Sequence, residues 1–199
     1  MASPFPSRCR PEWRTPSDAE CFGFWDVHDM PAHIRRHSQL VAEVATALSL
    51  RAEELGAAVC VQTVRASALL HDLGKAYSIA FGGNHSQIGA AWALQLTGNP
   101  LISHGVLHHV HWPFEPDVER FFLPLAVLYA DKRVRHDTIV SVTERFQDIS
   151  ERYGLTEDIR NKIRLTMEDS LELEQRLNDY LKVDLNACAF DRGRLVQRA

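Results

Sequence analysis

The chain has 199 residues, a formal net charge of −4 at pH 7, 45% hydrophobic residues and 24% charged residues. This length is typical of one globular domain that buries enough surface to fold without disulfide bonds. The four cysteines are widely separated and form no CxxC pair, which argues against a disulfide framework and against a zinc knuckle. The slight negative charge disfavours a nucleic-acid-binding or a membrane-binding surface.

No apolar run reaches the roughly 20 residues that a membrane-spanning helix needs, and the first residues have no hydrophobic core typical of a signal peptide. We therefore expect a cytoplasmic protein. Residues 1–20 contain four prolines and little periodicity, which predicts an irregular N-terminal arm. The helical domain is expected over residues 21–182, followed by a C-terminal tail over 183–199.

Hydrophobic residues recur with helical spacing in seven segments. These segments are residues 29–50, 57–74, 85–96, 100–109, 124–134, 138–154 and 157–183. Asp29 is placed to cap the first predicted helix, and Gly74 is placed to end the second. Residues 76–84 are predicted to form a loop because Gly82 and Gly83 interrupt them.

No alternating strand pattern with a hairpin turn is evident, so the predicted fold class is all-α, a single helical bundle. The last predicted helix is long and highly charged. Such a helix could cover one side of the bundle or form a homodimer interface.

Histidine is unusually frequent, with ten residues, four of them between positions 104 and 111. His71 and Asp72 follow directly after the apolar run ASALL, at the end of a helix that is predicted to be buried. Alone, this pair could be a surface helix end whose histidine satisfies terminal carbonyls. Its neighbours along the chain favour a metal site.

Asp131 ends the apolar run LPLAVLYAD, so its carboxylate is expected on a core helix. A buried carboxylate is costly unless it is paired or bound to a metal. Lys132, Arg133 and Arg135 could neutralise it, but they lie on the same predicted helix at spacings poorly suited to that role. This pattern favours metal binding by Asp131.

Several histidines could supply further ligands. His33 and His37 are four residues apart and share a helix face, as do His104 and His108, while His85 begins a predicted helix. Imidazoles combined with carboxylates suit iron, manganese, zinc or nickel better than calcium. An aspartate can offer one oxygen to each of two ions, so Asp72 would bridge them if two are bound.

Other catalytic signatures are absent from the sequence. It contains no HExxH, GxxxxGK[ST], GxGxxG or GxSxG motif. Cys60 could in principle act as a nucleophile, but its position within an apolar predicted helix favours core packing, where a thiol is unreactive.

The order of His37, then His71-Asp72, then Asp131 resembles the HD-domain superfamily of metal-dependent phosphohydrolases. The resemblance covers roughly residues 30–135, with LLHDLGK as the signature segment. NHSQIGA and LHHVHW resemble the subgroup that adds histidines for a second metal ion. The chain lacks the GYP segment of the cyclic-dinucleotide phosphodiesterases, which disfavours cyclic-di-GMP as a substrate.

The resemblance implies an HD-type bundle that binds two divalent ions. Iron and manganese are the preferred metals, and zinc, nickel and magnesium are the alternatives. The implied ligands of the first ion are His37, His71, Asp72 and Asp131. The implied ligands of the second ion are Asp72, His85, His108 and His109. The roles of His33 and His104 are left open.

The resemblance also places Lys75 beside the substrate phosphate or the leaving group, although a solvated lysine is an equal alternative. Arg36, or its neighbour Arg35, could add positive charge. Lys132, Arg133 and Arg135 could guide an anionic substrate to the metals, or could form the solvated end of a helix. Asp72, Lys75, Arg36 and Arg133 are the resulting catalytic and substrate-binding candidates.

These features predict attack of a metal-bridging hydroxide on a phosphomonoester or phosphodiester, in a nucleotide or related small metabolite. Nucleic acid is a disfavoured substrate at this net charge. Two other functions use the same ligands: an HD-type diiron oxygenase, and a ligand-sensing module without turnover.

Overall fold

A computed structural model describes residues 10–197. The helices in this range are α1 Asp18–Val27, α2 Ala32–Glu54, α3 Val61–Leu70, α4 Lys75–Phe81, α5 His85–Thr97, α6 Pro100–His108, α7 Phe122–Lys132, α8 Val142–Tyr153 and α9 Glu157–Leu181. The strands are β1 Val134–Arg135, β2 Thr138–Ile139, β3 Cys188–Asp191 and β4 Arg194–Gln197. The prediction of an all-α bundle with a long C-terminal helix is confirmed.

Helix α7 forms the centre of the bundle. Its sequence FLPLAVLYADK is apolar on every face as far as Ala130, and a helix of that kind is stable only when it is surrounded. Helices α2, α3 and α6 pack around it. The C-terminal end of α7 therefore delivers Asp131 to the interior, beside the end of α3.

The N-terminal part of the fold differs from the prediction. Helix α1 begins at Asp18, within the segment expected to be an irregular arm, and residues 1–9 of that arm lie outside the described residues. Ser17 caps α1 through a capping box with Glu20, a signal that helical periodicity alone does not detect. The indole of Trp25 donates a hydrogen bond of 2.9 Å to the carbonyl of Leu69, which ties α1 to α3.

The first predicted helix has a different start, because Pro31 rather than Asp29 precedes α2. Asp29 has φ +48° and lies in the connection from α1. The second predicted helix is shorter than expected, and α3 begins only after Cys60. Cys60 is therefore a half-buried residue at the start of a helix, not a core residue inside one.

Residues 75–81 form helix α4, where a loop was predicted from residue 76. The glycines that suggested a loop come after the helix and end it, with φ +82° at Gly82 and +92° at Gly83. The first residue of this short helix is Lys75, one of the predicted catalytic and substrate-binding candidates.

The segment predicted as a helix from residue 138 begins instead as strand β2. It pairs with β1 in an antiparallel ladder, with Val134 opposite Ile139. Helix α8 starts after Ser141, whose capping box with Glu144 sets the boundary. The turn between the strands reverses the chain directly after α7.

The C-terminal part extends beyond the predicted domain boundary at residue 182. Leu173, Leu177 and Leu181 bury one face of α9 against the bundle. The segment expected to be a tail forms the hairpin β3–β4, which packs on α2 with Gly193 against Thr46. Dimer formation through α9 stays a prediction. Among the described residues, none of the helices combines the length and apolar character needed to cross a bilayer.

Candidate metal centre

His71 and Asp72 occupy the turn between α3 and α4, and both side chains are buried. His71 donates a hydrogen bond of 2.7 Å from Nδ1 to the carbonyl oxygen of Ala68. Because a carbonyl can only accept, the proton is on Nδ1 and the lone pair of Nε2 is available to a metal. Nε2 lies 3.6 Å from Oδ2 of Asp72.

A first group of candidate ligands lies where α2, α3 and α7 meet, and we define it as His37, His71, Asp72 and Asp131. His37 comes from α2, and its Nε2 lies 3.0 Å from Oδ1 of Asp131. The same oxygen is 3.8 Å from Nε2 of His71. Residues that are almost a hundred positions apart therefore present nitrogen and oxygen atoms to one small space.

A second group consists of Asp72, His85 and His109. His85 begins α5 and His109 follows α6, and their Nε2 atoms lie 3.5 and 3.6 Å from Oδ1 of Asp72. The two Nε2 atoms are 3.1 Å apart. His109 donates from Nδ1 to the carbonyl oxygen of Val106 at 2.7 Å, as His71 does to Ala68, so its Nε2 also offers a lone pair.

Asp72 is common to both groups, with Oδ2 towards the first and Oδ1 towards the second. Two triads have ligand atoms that lie within 4.8 Å of one another: His37, His71 and Asp72, and Asp72, His85 and His109. Together the two groups form what we call the metal centre. The shared aspartate predicted from the sequence is therefore found at the junction of two sets of histidines.

The chemistry of these atoms fits divalent metal ions. Among residues 10–197, Nε2 of His71 and Oδ1 of Asp72 are buried without a hydrogen-bond partner, which is costly unless a ligand satisfies them. Burial lowers the pKa of His71 to about 3, so the imidazole is neutral. Burial alone would raise the pKa values of Asp72 and Asp131, but neighbouring histidines and lysines hold both well below their usual range. Neutral imidazoles and ionised carboxylates are the forms that bind metals.

Asp131 has a cation partner, Lys132, although neighbouring positions on a helix do not face each other. Nζ of Lys132 lies 2.7 Å from Oδ2 of Asp131 and 3.1 Å from the carbonyl oxygen of His109. The long, flexible lysine stem bends back to its neighbour, which helix-face spacing does not capture. Lys132 is buried and joins the two groups of the metal centre, so it is not a surface charge that guides substrate.

Lys75, at the start of α4, contacts the metal centre directly. Its Nζ donates to Oδ2 of Asp72 at 2.9 Å, and its side chain remains 41% exposed. The ammonium group is thus at the boundary between Asp72 and solvent. An anionic ligand that reaches the centre would meet this charge first.

His108 is not in the second group, which differs from the ligand set predicted from the resemblance. Its ring lies 4.8 Å from that of His104 and 5.1 Å from that of Trp112, in an aromatic cluster on the other side of α6. Burial is the main cause that lowers the pKa values of both histidines, to about 4 for His104. Only His109, one residue further on, turns towards Asp72.

The structure also places the predicted substrate-binding arginines elsewhere. Arg133 is 1% exposed and bonds to Glu174 and to the carbonyl oxygens of Val140 and Leu185. Its guanidinium also contacts the hydroxyl of Tyr129. Arg133 therefore anchors α9 and the C-terminal segment to the end of α7 and does not face a substrate.

Three further residues of α2 lie at or near the protein surface: Arg35, Arg36 and His33. Arg35 bonds to Asp26 and to the carbonyl of Met30, so its charge is used between α1 and α2. Arg36 is exposed and lines a surface cavity together with Arg65. His33 is exposed and belongs to neither group of ligands.

Replacing His109 with alanine is expected to lower the metal stoichiometry, whereas replacing His108 is expected to leave it unchanged. The two residues are adjacent, but only His109 approaches Asp72. Metal content after gel filtration, measured by mass spectrometry, compares the two variants. Equal metal loss in both would contradict the arrangement described here.

The position of His85 depends on a close contact between α4 and α5. A Cβ added at Gly74 would lie 2.4 Å from the carbonyl oxygen of His85 and 2.7 Å from the amide nitrogen of Gly89. The backbone of Gly74 has φ −79°, which any residue adopts, so only this contact requires glycine. No periodic signal in the sequence reveals it.

Replacing Gly74 with alanine is expected to push α5 away, to destabilise the fold by about 1–3 kcal/mol and to reduce binding by the second group. Urea unfolding and metal stoichiometry measure the two effects. Gly23→Ala is the matched control, because no atom lies within 4 Å of its added Cβ. A Gly74→Ala protein with unchanged metal content would show that the contact does not position His85.

The fold and the site together define an α-helical protein with a centre of histidines and aspartates, arranged as two groups of candidate ligands that share Asp72. The sequence model of the HD domain matches residues 34–179. The chain belongs to the HD domain family.

Curated relatives carry the same name in several bacteria. Ribonuclease Y of Aquifex aeolicus is 32% identical over 117 residues, which are 58% of this chain and 20% of that protein. Ribonuclease Y of Chloroflexus aurantiacus is 38% identical over 84 residues, or 42% of this chain and 16% of that protein. Ribonuclease Y of Geobacter sulfurreducens is 39% identical over 67 residues, or 34% and 12%. The chain thus spans a fifth or less of the length of these relatives.

A solved structure is also similar to this chain. It is the crystal structure of a predicted HD superfamily hydrolase from an uncultured Thermotogales bacterium, with 23% sequence identity and a TM-score of 0.47. The match covers 82% of this chain and 92% of that chain.

Proposed function

We propose that the chain is a metal-dependent phosphohydrolase that cleaves a phosphomonoester or phosphodiester of a nucleotide or related metabolite. The observation that carries the proposal is Asp72, whose two oxygens face separate groups of histidines at 3.5–3.6 Å. Membership of the HD domain family supports it. The cofactors would be two divalent ions, iron or manganese by the balance of imidazole and carboxylate ligands.

His37, His71, Asp72 and Asp131 would hold one ion, and Asp72, His85 and His109 would hold the other. Such ions, when bound, neutralise phosphoryl oxygens and activate water as a nucleophile. The side chains of this chain supply the rest of the chemistry. The hydrogen bonds to Ala68 and Val106 fix the orientation of two imidazoles, so the ligands are arranged before a metal arrives.

Lys75 would bind the phosphoryl group. Its ammonium is anchored by Asp72 on one side and open to solvent on the other, so it can donate hydrogen bonds to an incoming phosphate oxygen. Lys132 holds Oδ2 of Asp131, which leaves Oδ1 directed at His37 and His71. Lys75 would thus contact the substrate, whereas Lys132 would hold the Asp131 carboxylate in position.

The experiment is a metal analysis of purified protein followed by a hydrolysis panel under anaerobic conditions with Mn²⁺ or Fe²⁺. The panel contains nucleotides, simple phosphomonoesters and, because the relatives are named Ribonuclease Y, an RNA oligonucleotide. Metal-dependent release of phosphate or of a cleaved ester is expected for at least one class. Retained metal without hydrolysis of any class, or turnover that requires oxygen, would contradict the proposal.

A further inference from the structure

A cavity of about 360 Å³ lies at the surface between α7, α9 and the segment that follows His109. Its floor consists of the buried side chains of Leu125, Leu128 and Leu173. The volume is within the range of pockets that bind small molecules, whose walls combine apolar surface with a few polar groups. The residues that line this cavity do not include those of the metal centre, so it is a separate feature of the fold.

One wall of the cavity is aromatic. Trp112 and Phe114 line it, with ring centroids 5.4 Å apart and ring planes at 77°. The ring of Trp112 also contacts those of His108 and Phe121, each at 5.1 Å between centroids. Its indole nitrogen donates a hydrogen bond of 3.2 Å to the carbonyl oxygen of Glu115. The indole is therefore held in position with its donor engaged, and its ring surface suits stacking of a flat aromatic ligand.

A second wall, from α9, offers hydrogen-bond acceptors. The hydroxyl of Ser170 donates to the carbonyl oxygen of Thr166 at 2.7 Å, and the hydroxyl of Thr166 donates to that of Lys162 at 2.9 Å. Because both hydrogens are engaged within the helix, the hydroxyl oxygens present only lone pairs to a ligand. Asp169 lines the same wall, and a carboxylate can only accept. These side chains therefore favour a ligand that carries N–H or O–H donors.

The charges around the cavity disfavour an anionic ligand. Three carboxylates line it, those of Glu115, Asp169 and Glu172. Arg176 pairs with Glu115 at 2.6 Å and with Glu172 at 2.7 Å, whereas Asp169 takes part in neither ion pair. A phosphate in the cavity would be repelled by Asp169, while an amino group that donates to this carboxylate would be attracted.

We propose that this cavity binds a nucleobase that carries an exocyclic amino group, such as adenine. The flat ring would lie against the aromatic wall, and the amino group would donate a hydrogen bond to Asp169. A base of this kind could belong to the nucleotide substrate or to a free nucleoside, and both would be recognised by the same chemistry.

The cavity begins next to the metal centre, which is compatible with both sources of the base. Val110, which lines the cavity, directly follows His109. Lys132 lies one helical turn after Leu128 and donates to the carbonyl oxygen of His109 at 3.1 Å. The inference goes beyond the proposed function, because a nucleoside can bind here without a metal ion and without a phosphoryl group.

The test measures the binding of two nucleosides to the purified full chain by isothermal titration calorimetry. The probes are adenosine and purine riboside, which differs from adenosine only in lacking the amino group. Wild-type protein should bind adenosine saturably and about tenfold more tightly than purine riboside, as expected for a hydrogen bond to a charged group. Asp169→Ala should weaken adenosine binding about tenfold and should change purine riboside binding less than twofold.

Glu168→Ala is the matched control, because Glu168 is the preceding residue of α9, pairs with Arg164 and does not line the cavity. It should leave both affinities within twofold of wild type. Trp112→Leu should weaken the binding of both nucleosides about tenfold, since stacking does not require the amino group. Thermal unfolding of each variant shows whether the fold is intact, and Asp169 is exposed, so its replacement should be tolerated.

No saturable binding of adenosine, equal affinity for purine riboside, or an equal loss in Glu168→Ala would overturn the inference. A nonhydrolysable phosphonate analogue of adenosine monophosphate, added with Mn²⁺ in excess, distinguishes the two sources of the base. Displacement of adenosine by the analogue, with weaker binding of the analogue to Asp169→Ala, would assign the base to the substrate. Simultaneous binding of both would assign the cavity to a separate nucleoside, and either result supports the inference.

Hydrolysis is measured separately with the substrate panel. Adenosine binding through Asp169 in a protein that hydrolyses no ester would contradict the proposed function and keep this inference. An active phosphohydrolase whose affinity for adenosine is unchanged in Asp169→Ala would do the reverse.

Discussion

Replacing Asp72 with asparagine is expected to remove metal from both groups of ligands and to reduce hydrolysis by more than about 100-fold. The magnitude follows because changes in residues that only support a metal ligand already cost 10–100-fold. Asp72 is the one described residue that belongs to both groups, with one carboxylate oxygen towards each. An amide has a single acceptor oxygen and no charge, so it cannot serve both sides.

Metal content and hydrolysis, measured on the same preparation, check this expectation. Asp131→Asn affects only the first group and should leave metal at His85 and His109. Asp137→Asn, at an exposed position in the turn between β1 and β2, is the matched control and should behave like wild type. Full activity in the Asp72→Asn protein would end the case for a shared metal centre.

Replacing Arg133 with methionine is expected to destabilise the protein by about 3–5 kcal/mol, because breaking a buried ion pair leaves an uncompensated charge. That charge is Glu174, whose side chain is 6% exposed and lies 3.3 Å from Nη1 of Arg133. The hydroxyl of Tyr129 donates to the same carboxylate at 2.6 Å, so the network includes a second residue of α7. The KM of the surviving folded protein should stay within twofold of wild type.

Urea unfolding measures the loss of stability, and steady-state kinetics measure the KM. The double variant Arg133→Met, Glu174→Gln should recover part of the lost stability, since the unpaired charge is removed as well. Arg135→Met, two residues further on, should change the free energy of unfolding by less than about 1 kcal/mol. A stable Arg133→Met protein with a raised KM would restore the substrate-binding role that the sequence suggested for this arginine.

The helical class and most of the candidate ligands were accessible from the sequence. The central helix α7 is apolar on every face and then reaches Asp131, so a buried carboxylate could be expected there. His71 and Asp72 follow another buried helix in the same way. Their function as ligands remains a proposal, although the structure brings their polar atoms together with those of His37.

Other features were hidden because they depend on contacts between distant segments. Glycine is required at position 74 because the backbone of α5 lies against it, and no local sequence pattern indicates this contact. Strands β1 to β4 are only two to four residues long, too short for an alternating pattern to stand out. Helix α1 was missed because its signal is a capping box and not a hydrophobic period.

By itself, the sequence determined the all-helical class, the two apolar helices that end in His71-Asp72 and Asp131, and an excess of histidine concentrated near residue 108. Only the tertiary structure decided which histidine and which cation contact the aspartates. His108 and His109 differ by about 100° around the helix end, and hydrogen bonding to Val106 turns only His109 towards Asp72. Lys132 and Arg133 are also adjacent but have different partners. Lys132 pairs with Asp131, whereas Arg133 pairs with the buried Glu174 on α9.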